Sequence, residues 1–225
     1  MGTRQFIRER MFLEEMAKLV LVRHGESKWN KLGLWQGWTD IDLTDNGIEQ
    51  AKAVGREVRN IHFDNAYSSP LVRASKTLEE ILKVLGQRDL PVIEDHAITE
   101  KHYGIYAGKN KWQVKEEVGE EEFQKLRRGW DYPTPEGESM KQVYERLIPY
   151  YEKEILPKLK DGKNIIITSH GNTLRTLIKY LDNLSEEEIA KLEFGIGEAY
   201  VYDIDKDGKV VSKEIRNKNP LAGKQ

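Results

Sequence analysis

The sequence predicts an α/β fold, a three-layer sandwich in which helices cover both faces of a mainly parallel sheet. Short apolar runs alternate along the chain with longer segments of helical periodicity, as in folds built from strand–helix–strand units. The clearest runs, Leu19–Val22 and Ile165–Thr168, are apolar at nearly every position, which is typical of strands buried on both faces. A polar stretch over about 101–138 predicts a small cap over the carboxyl ends of the strands.

Each element follows from its pattern and its flanking residues. Thr44 is suited to cap a helix, Pro70 stands where a missing N–H donor is harmless, Pro149 predicts a bend, and Asp207-Gly208 predicts a hairpin turn. Strands are predicted at Lys18–Val22, Asp64–Tyr67, Pro91–Ile93, Ile165–Thr168, Tyr200–Asp203 and Lys209–Glu214, and helices at Thr44–Arg59, Pro70–Leu85, Met140–Leu159 and Asn172–Leu181.

Length and composition restrict the class of protein. The 225 residues fit a single domain over 16–225, with 1–15 as an N-terminal extension or, alternatively, a helical arm. A net charge of -2 argues against a nucleic-acid partner, and the lack of cysteine excludes a thiolate nucleophile. No apolar stretch approaches the roughly 18 residues of a membrane span. The five histidines form no helix-spaced ligand pair, so no metal is predicted.

Two histidine–glycine pairs stand where strands of the predicted sheet end. Arg23-His24-Gly25 follows the first strand, and Ser169-His170-Gly171 follows the isoleucine-rich strand. Because ligands of parallel sheets bind beyond the carboxyl ends of the strands, we expect both histidines at one site. A neutral imidazole can attack a phosphoryl group, and an adjacent arginine suits phosphate oxygens. The sequence therefore predicts phosphoryl transfer through His24.

The residues after His24 fit the same chemistry. Gly25 is expected to leave room for a closely approaching substrate, and Ser27 and Asn30 are candidate phosphate donors. An isolated arginine–histidine pair is usually an ordinary loop feature, but the complete strand–Arg-His-Gly-Glu-Ser pattern is far more specific.

Several motifs resemble those of one family, the histidine phosphatase superfamily, and within it the cofactor-dependent phosphoglycerate mutases. The resemblance covers about Lys18–Tyr202. Its motifs are LVRHGESKWN, GWTDIDLT (Gly37–Thr44), EKHYG (Glu100–Gly104), Asn110-Lys111, Arg127-Arg128 and SHGNTLR (Ser169–Arg175). It implies interconversion of 3-phosphoglycerate and 2-phosphoglycerate, primed by 2,3-bisphosphoglycerate, in the cytoplasm. It leaves a homodimer, a homotetramer and a monomer open.

The resemblance also implies a role for each site residue. His24 resembles the nucleophile, Arg23, Arg73 and His170 the phosphate pocket, and Glu100 the general acid and base. We hypothesise that His170 is protonated when phosphate is bound. The substrate-binding residues implied are Ser27, Asn30, Gln36, Gly37, Tyr103, Lys111, Arg127, Arg128, Gly171 and Asn172.

Three departures from the family pattern keep alternatives open. Gln36 replaces a threonine, Lys101 replaces an arginine, and the chain is short between Arg128 and Gly137. A phosphomonoester hydrolase using the same nucleophile is one alternative, and a non-catalytic binding module of the same fold is another. The joint presence of Glu100, Lys111 and the arginine pair favours the mutase.

Overall fold

The computed structural model describes residues 16–218, which form one six-stranded sheet covered by helices. The strands are β1 (Ala17–Arg23), β2 (Asn65–Ser68), β3 (Val92–Glu94), β4 (Ile165–Ser169), β5 (Ala199–Ile204) and β6 (Val210–Arg216). The helices are α1 (Lys28–Lys31), α2 (Asp45–Glu57), α3 (Val72–Leu85), α4 (Lys111–Val118), α5 (Glu120–Arg128), α6 (Met140–Tyr150), α7 (Leu156–Lys160), α8 (Gly171–Leu181) and α9 (Glu186–Lys191).

The strand order is β3-β2-β4-β1-β5-β6, with β1 to β4 parallel and β5 and β6 antiparallel to their neighbours. In the register of β1 against β4, Arg23 lies opposite Ser169. The next residue of each chain segment is a histidine. The parallel pairing therefore brings His24 and His170 to the same edge of the sheet, as the sequence predicts.

Alternating side chains of each central strand bury opposite faces. Leu19 and Leu21 of β1 pack in a cluster with α6, α7 and α8. Val20 and Val22 pack in a second cluster with α2 and α3. All four side chains are fully buried, which explains their unbroken apolar run. The sheet is thus covered on both faces, and the predicted three-layer α/β fold is confirmed.

The long helix before β4 is less regular than its periodicity predicts. α6 ends at Tyr150, a π-helical turn covers Tyr151–Ile155, and α7 completes the segment. The π-helical turn lies between Pro149 and Pro157, which both lack the N–H that a regular helix donates to the preceding turn. The bend predicted at Pro149 stays a prediction, and the irregularity found is the wider turn that begins two residues after it.

Other elements agree with their predicted bounds to within about one or two residues. Thr44 caps α2 by accepting from the Gly47 N–H, as predicted. β2 begins at Asn65, one residue later than predicted, and before it the Asp64 carboxylate accepts from the Asn164 N–H. The predicted extension 1–15 lies outside the described residues. The single-domain organisation with a cap over about 101–138 stays a prediction. Within 16–218, no helix is long and apolar enough to cross a bilayer.

Candidate active site

A polar cavity opens at the edge of the sheet where β1 and β4 end. We call it the basic cavity. The described residues that line it are Arg23, His24, Asn30, Leu34, Trp35, Gln36, Gly37, Arg73, Glu100, Tyr103, Lys111, Arg127, Arg128, Gly171, Asn172, Arg175, Glu193 and Phe194. Six of these side chains are cationic and two are carboxylates. This excess of positive charge suits an anionic ligand.

His24 follows β1 directly, and its backbone N–H donates to the Ser169 carbonyl at 3.0 Å. Its Nδ1 lies 2.7 Å from the Gly25 carbonyl oxygen. Because a carbonyl oxygen only accepts, Nδ1 carries the proton and Nε2 keeps the lone pair. Burial, and then the charges of Arg73 and Arg23, hold the pKa of His24 well below its usual range. The imidazole is therefore neutral and suited to nucleophilic attack.

His170 is the N-cap residue of α8 and is fully buried beside the nucleophile. The two imidazole centroids are 5.1 Å apart. Neither ring nitrogen of His170 has a hydrogen-bond partner among the described residues. Burial, followed by the charge of Arg73, lowers its pKa well below the usual range. Buried polar atoms without a protein partner are costly, so the N–H of this ring favours an anion that accepts from it.

Two buried arginines also line the cavity. Arg23 Nη1 donates to the Phe194 carbonyl at 2.6 Å, and Arg73 donates to the Gly37 and Thr39 carbonyls at 2.7 and 2.9 Å. The Nε atom of each arginine is buried without a partner among the described residues. Burial lowers both pKa values, to about 10 for Arg73, which therefore stays charged at neutral pH. The carbonyls fix the guanidinium orientations in advance of binding.

Glu100 is half-buried at the cavity wall, and hydrogen bonds hold both its carboxylate and its backbone carbonyl. Its Oε1 accepts from the backbone N–H groups of Lys101 at 2.8 Å and Asn172 at 3.3 Å. Its carbonyl oxygen accepts from Trp38 Nε1 at 2.7 Å and Arg146 Nη2 at 3.0 Å. The carboxylate therefore shares a cavity with the nucleophile, as a proton-transferring group must.

A charged pair on the far side of the Glu100 segment fixes its path. Arg146 of α6 donates to the Ala97 carbonyl at 2.8 Å and the Thr99 carbonyl at 2.9 Å. Its Nε donates to the Glu138 carboxylate at 2.9 Å, and the other oxygen of that carboxylate accepts from the His102 N–H at 2.8 Å. One arginine and one glutamate thus replace the regular secondary structure that residues 99–103 lack.

The segment after Glu100 supplies the aromatic part of the wall. Tyr103 stacks on Trp35 with ring centroids 5.1 Å apart. Its hydroxyl oxygen accepts from Asn172 Nδ2 at 2.7 Å, which joins this segment to α8. Lys101 is fully buried, and its ammonium donates to the Leu126 carbonyl of α5 at 2.8 Å. Burial lowers the pKa of Lys101 to about 8.

Three cations come from α4 and α5. Lys111 opens α4 and is 8% exposed; burial, then repulsion by Arg23 and Arg127, lowers its pKa to about 8. Arg127 lies over the Phe123 ring at 5.4 Å, and burial lowers its pKa. Arg128 Nη2 pairs with the Glu193 carboxylate at 2.6 Å.

The polar residues after His24 divide into two groups. Asn30, Gln36 and Gly37 line the basic cavity, but Ser27 does not. Ser27 is fully buried, caps α1, and donates to Gln36 Oε1 at 2.7 Å. It therefore supports a lining residue, and the sequence signal for this outcome is the Ser-x-x-Asn capping spacing.

Gly171 and Gly25 differ in which neighbouring group occupies the space that a side chain would need. A side-chain carbon on Gly171 would lie 3.3 Å from the Arg23 guanidinium, so this glycine leaves room for a cavity cation. A side-chain carbon on Gly25 would lie 2.2 Å from the Gly47 carbonyl oxygen. The prediction that Gly25 makes room for substrate is therefore wrong, because its space is taken by the backbone at the start of α2.

Two charged lining residues were not predicted as site residues. Arg175 is one turn beyond Asn172 on α8 and donates to the Asn172 side-chain oxygen at 3.0 Å, so helical spacing could have identified it. Burial lowers its pKa to about 9. Glu193 follows α9 without a recognisable motif, and no sequence signal marks it. Within 16–218, no group of three or more acidic or histidine side chains is arranged to hold a metal ion.

Comparison with known proteins agrees with this geometry. The family model for the histidine phosphatase superfamily, branch 1, matches residues 19–216. A relative in Parvibaculum lavamentivorans, a 2,3-bisphosphoglycerate-dependent phosphoglycerate mutase, is 45% identical over 88% of this chain and 95% of its own length. A solved phosphoglycerate mutase from Bacillus anthracis has a TM-score of 0.70 at 28% identity, covering 88% of this chain and 91% of that one. A putative α-ribazole-5'-phosphate phosphatase from Escherichia coli has a TM-score of 0.72 at 26% identity, covering 92% and 97%.

The match extends over nearly all of the described residues, and the relative's length is almost fully covered. The cavity at the ends of β1 and β4 lies within the matched residues. By sequence and by fold, the chain belongs to the histidine phosphatase superfamily, branch 1.

Proposed function

We propose that this protein interconverts 3-phosphoglycerate and 2-phosphoglycerate through a phosphohistidine on His24. The single observation that carries the proposal is the composition of the basic cavity. A neutral imidazole and a carboxylate share it with six cations, more than a single phosphoryl group requires. The mutase names of relatives that match nearly the whole chain support the same conclusion.

Phosphoryl transfer begins at His24. Nε2 has the lone pair, since Nδ1 donates to the Gly25 carbonyl, so Nε2 forms the bond to phosphorus. Arg23 and Arg73 line the same cavity as His24, and the His170 ring lies 5.1 Å from the His24 ring. We assign to these three residues the stabilisation of the charge that spreads over the equatorial oxygens during transfer. The unpartnered Nε–H groups of the two arginines and the N–H of the His170 ring are donors available to those oxygens.

Glu100 moves the proton. When the phosphoryl group passes from His24 to the 2-hydroxyl of 3-phosphoglycerate, the Glu100 carboxylate accepts the hydroxyl proton. When the 3-phosphoryl group passes to His24, Glu100 returns that proton to the leaving oxygen. Each transfer breaks one P–O or P–N bond and forms the other, so no water is consumed. The proton ends on the product hydroxyl.

The remaining cations hold the parts of the substrate that do not react. Lys111, Arg127 and Arg128 come from α4 and α5 and line the cavity together with His24. They suit a carboxylate and a second phosphate. 2,3-bisphosphoglycerate fits this donor set, and when bound it supplies the phosphoryl group that primes His24.

The test follows isomerisation and hydrolysis together. The protein is incubated with 3-phosphoglycerate, with and without a trace of 2,3-bisphosphoglycerate, while 2-phosphoglycerate and free phosphate are measured. Fast isomerisation that depends on the bisphosphate, with little free phosphate, is the expected result. A His24→Asn variant should lack both activities, because the amide cannot become phosphorylated by this route.

A second candidate is hydrolysis of phosphomonoesters by the same nucleophile. Gln36 favours it, since its amide lines the cavity where the family pattern has a threonine. Phosphate release without isomerisation would establish this reading and overturn the mutase. A cytoplasmic location and the choice among monomer, homodimer and homotetramer stay predictions.

A further inference from the structure

Glu193 is a carboxylate inside a cavity suited to anions. It lines the basic cavity with Glu100. Glu100 has a role in proton transfer, whereas the proposed chemistry uses no second carboxylate. A negative charge at this position repels an anionic substrate unless it serves another purpose.

The partner of Glu193 is one of the cations proposed to hold substrate. Glu193 Oε1 accepts from Arg128 Nη2 at 2.6 Å, and Arg128 Nη1 donates to the Leu192 carbonyl at 3.2 Å. The Arg128 side chain is 13% exposed and that of Glu193 is 39% exposed. A substrate anion therefore meets an Arg128 that already donates to one carboxylate and one carbonyl, which leaves fewer of its five N–H groups for the ligand.

The charge of Glu193 also acts on the rest of the cavity. It favours the charged forms of Arg23, Arg127 and Arg175, against burial and against their mutual repulsion, and so raises the pKa of each. Its effect is smaller than that of burial, so the net pKa of each arginine is still lowered. Glu193 thus offsets part of the cost of burying several like charges together.

The backbone around Glu193 is held by the same arginines. Arg23 Nη1 donates to the Phe194 carbonyl, Arg128 Nη1 to the Leu192 carbonyl, and Arg175 Nη2 to the Ile189 carbonyl. Residues 189–194 therefore pack against the cavity cations. Glu193 is the only carboxylate in this range, and it pairs with Arg128.

We propose that Glu193 is an internal counter-anion of the basic cavity, which stabilises the protein without ligand and competes with the substrate's non-reacting anionic group for Arg128. This inference rests on the proposed function for the identity of the substrate. Tight binding of substrate and product alike does not speed the chemical step, and it slows reorientation and release. A competing carboxylate keeps ground-state affinity moderate while Arg128 remains in place.

The test compares wild type with Glu193→Gln by two measurements, ligand affinity and stability, which should change in opposite directions. Isothermal titration with 3-phosphoglycerate, and separately with inorganic sulfate, gives the dissociation constants. Thermal unfolding without ligand gives the stability. We expect about three- to fivefold tighter binding of 3-phosphoglycerate, the range for loss of a partly exposed ion pair, with a lower Tm. If Glu193 had a merely structural role, its substitution would weaken the binding of 3-phosphoglycerate as well as lower the Tm.

Two further variants control the result. Glu121→Gln removes the same charge from the exposed side of α5, where the Glu121 side chain pairs with Lys125, and should leave both dissociation constants unchanged. Glu193→Asp keeps the charge but shortens the reach to Arg128, and should give an intermediate constant. Equal tightening by Glu121→Gln, or no tightening by either Glu193 variant, would overturn the proposal. Because the probes report binding, a chain that hydrolyses instead of isomerising still tests Glu193.

Discussion

Replacing Arg146 by lysine should impair proton transfer more than substrate binding. The guanidinium donates to the carbonyls of Ala97, Thr99 and Glu100 and pairs with Glu138. A lysine keeps the charge but has one nitrogen, so it cannot reach all of these acceptors from one position. The segment that carries the Glu100 carboxylate then loses most of its support from α6.

The magnitude follows from these contacts. Each hydrogen bond to a charged group contributes about 1.5–3 kcal/mol, and lysine can retain one or two of them. A displacement of the carboxylate by about 1 Å is enough to cost about 10²-fold in rate. We therefore expect kcat for isomerisation to fall about 10- to 100-fold. KM should change little, because the cavity cations stand on β1, α3, α4, α5 and α8.

The assay separates proton transfer from phosphoryl transfer by the leaving group. The burst of p-nitrophenolate from p-nitrophenyl phosphate reports phosphorylation of His24, and that anion leaves without receiving a proton. Arg146→Lys should slow isomerisation much more than the burst. Arg56→Lys, on the exposed face of α2, is the matched control. A kcat within twofold of wild type, or an equal loss in both reactions, would refute the positioning role.

Three further outcomes follow from the cavity. Gly171→Ala should lower kcat several-fold with little change in Tm, because the new carbon forces Arg23 to move by a few tenths of an ångström. Steady-state kinetics and thermal unfolding check this. Gly25→Ala should instead lower stability by about 1–3 kcal/mol or more in denaturant titration, because its new carbon meets the Gly47 carbonyl at 2.2 Å. Lys111 has a pKa of about 8, so it is charged below that pH, and KM for 3-phosphoglycerate should rise as the pH increases through 8; a flat KM from pH 7 to 9 would contradict this.

The sequence predicts the centre of the site because local pattern and sheet topology determine it. Apolar runs identify β1 and β4, and parallel strands end at the same edge, so the residues after them meet. His24 and His170 required no knowledge of distant contacts. Arg73 is similar, since it stands in the first turn of α3, shortly after β2, and the pattern identifies both elements.

Residues that act through long-range contacts cannot be identified from sequence motifs. Arg146 lies 46 positions beyond Glu100, and its partners there are main-chain carbonyls, which carry no side-chain signature. Ser27 shows the opposite case, a residue that the motif identifies but the structure does not place in the cavity. Its sequence position suits phosphate, but its hydroxyl caps α1 and donates to Gln36. A motif identifies which side chains approach a site, but packing decides which of them have free donors.

Lys101 illustrates how packing changes the meaning of a departure from the family pattern. By sequence it is only a lysine in place of an arginine. In the structure its ammonium donates to the Leu126 carbonyl, directly before Arg127 and Arg128, while its backbone N–H donates to the Glu100 carboxylate. One residue thus links the proposed acid and base to the end of α5 that carries two substrate cations. A single ammonium suffices for one carbonyl, so the substitution preserves this link although it gives up the planar fork of an arginine.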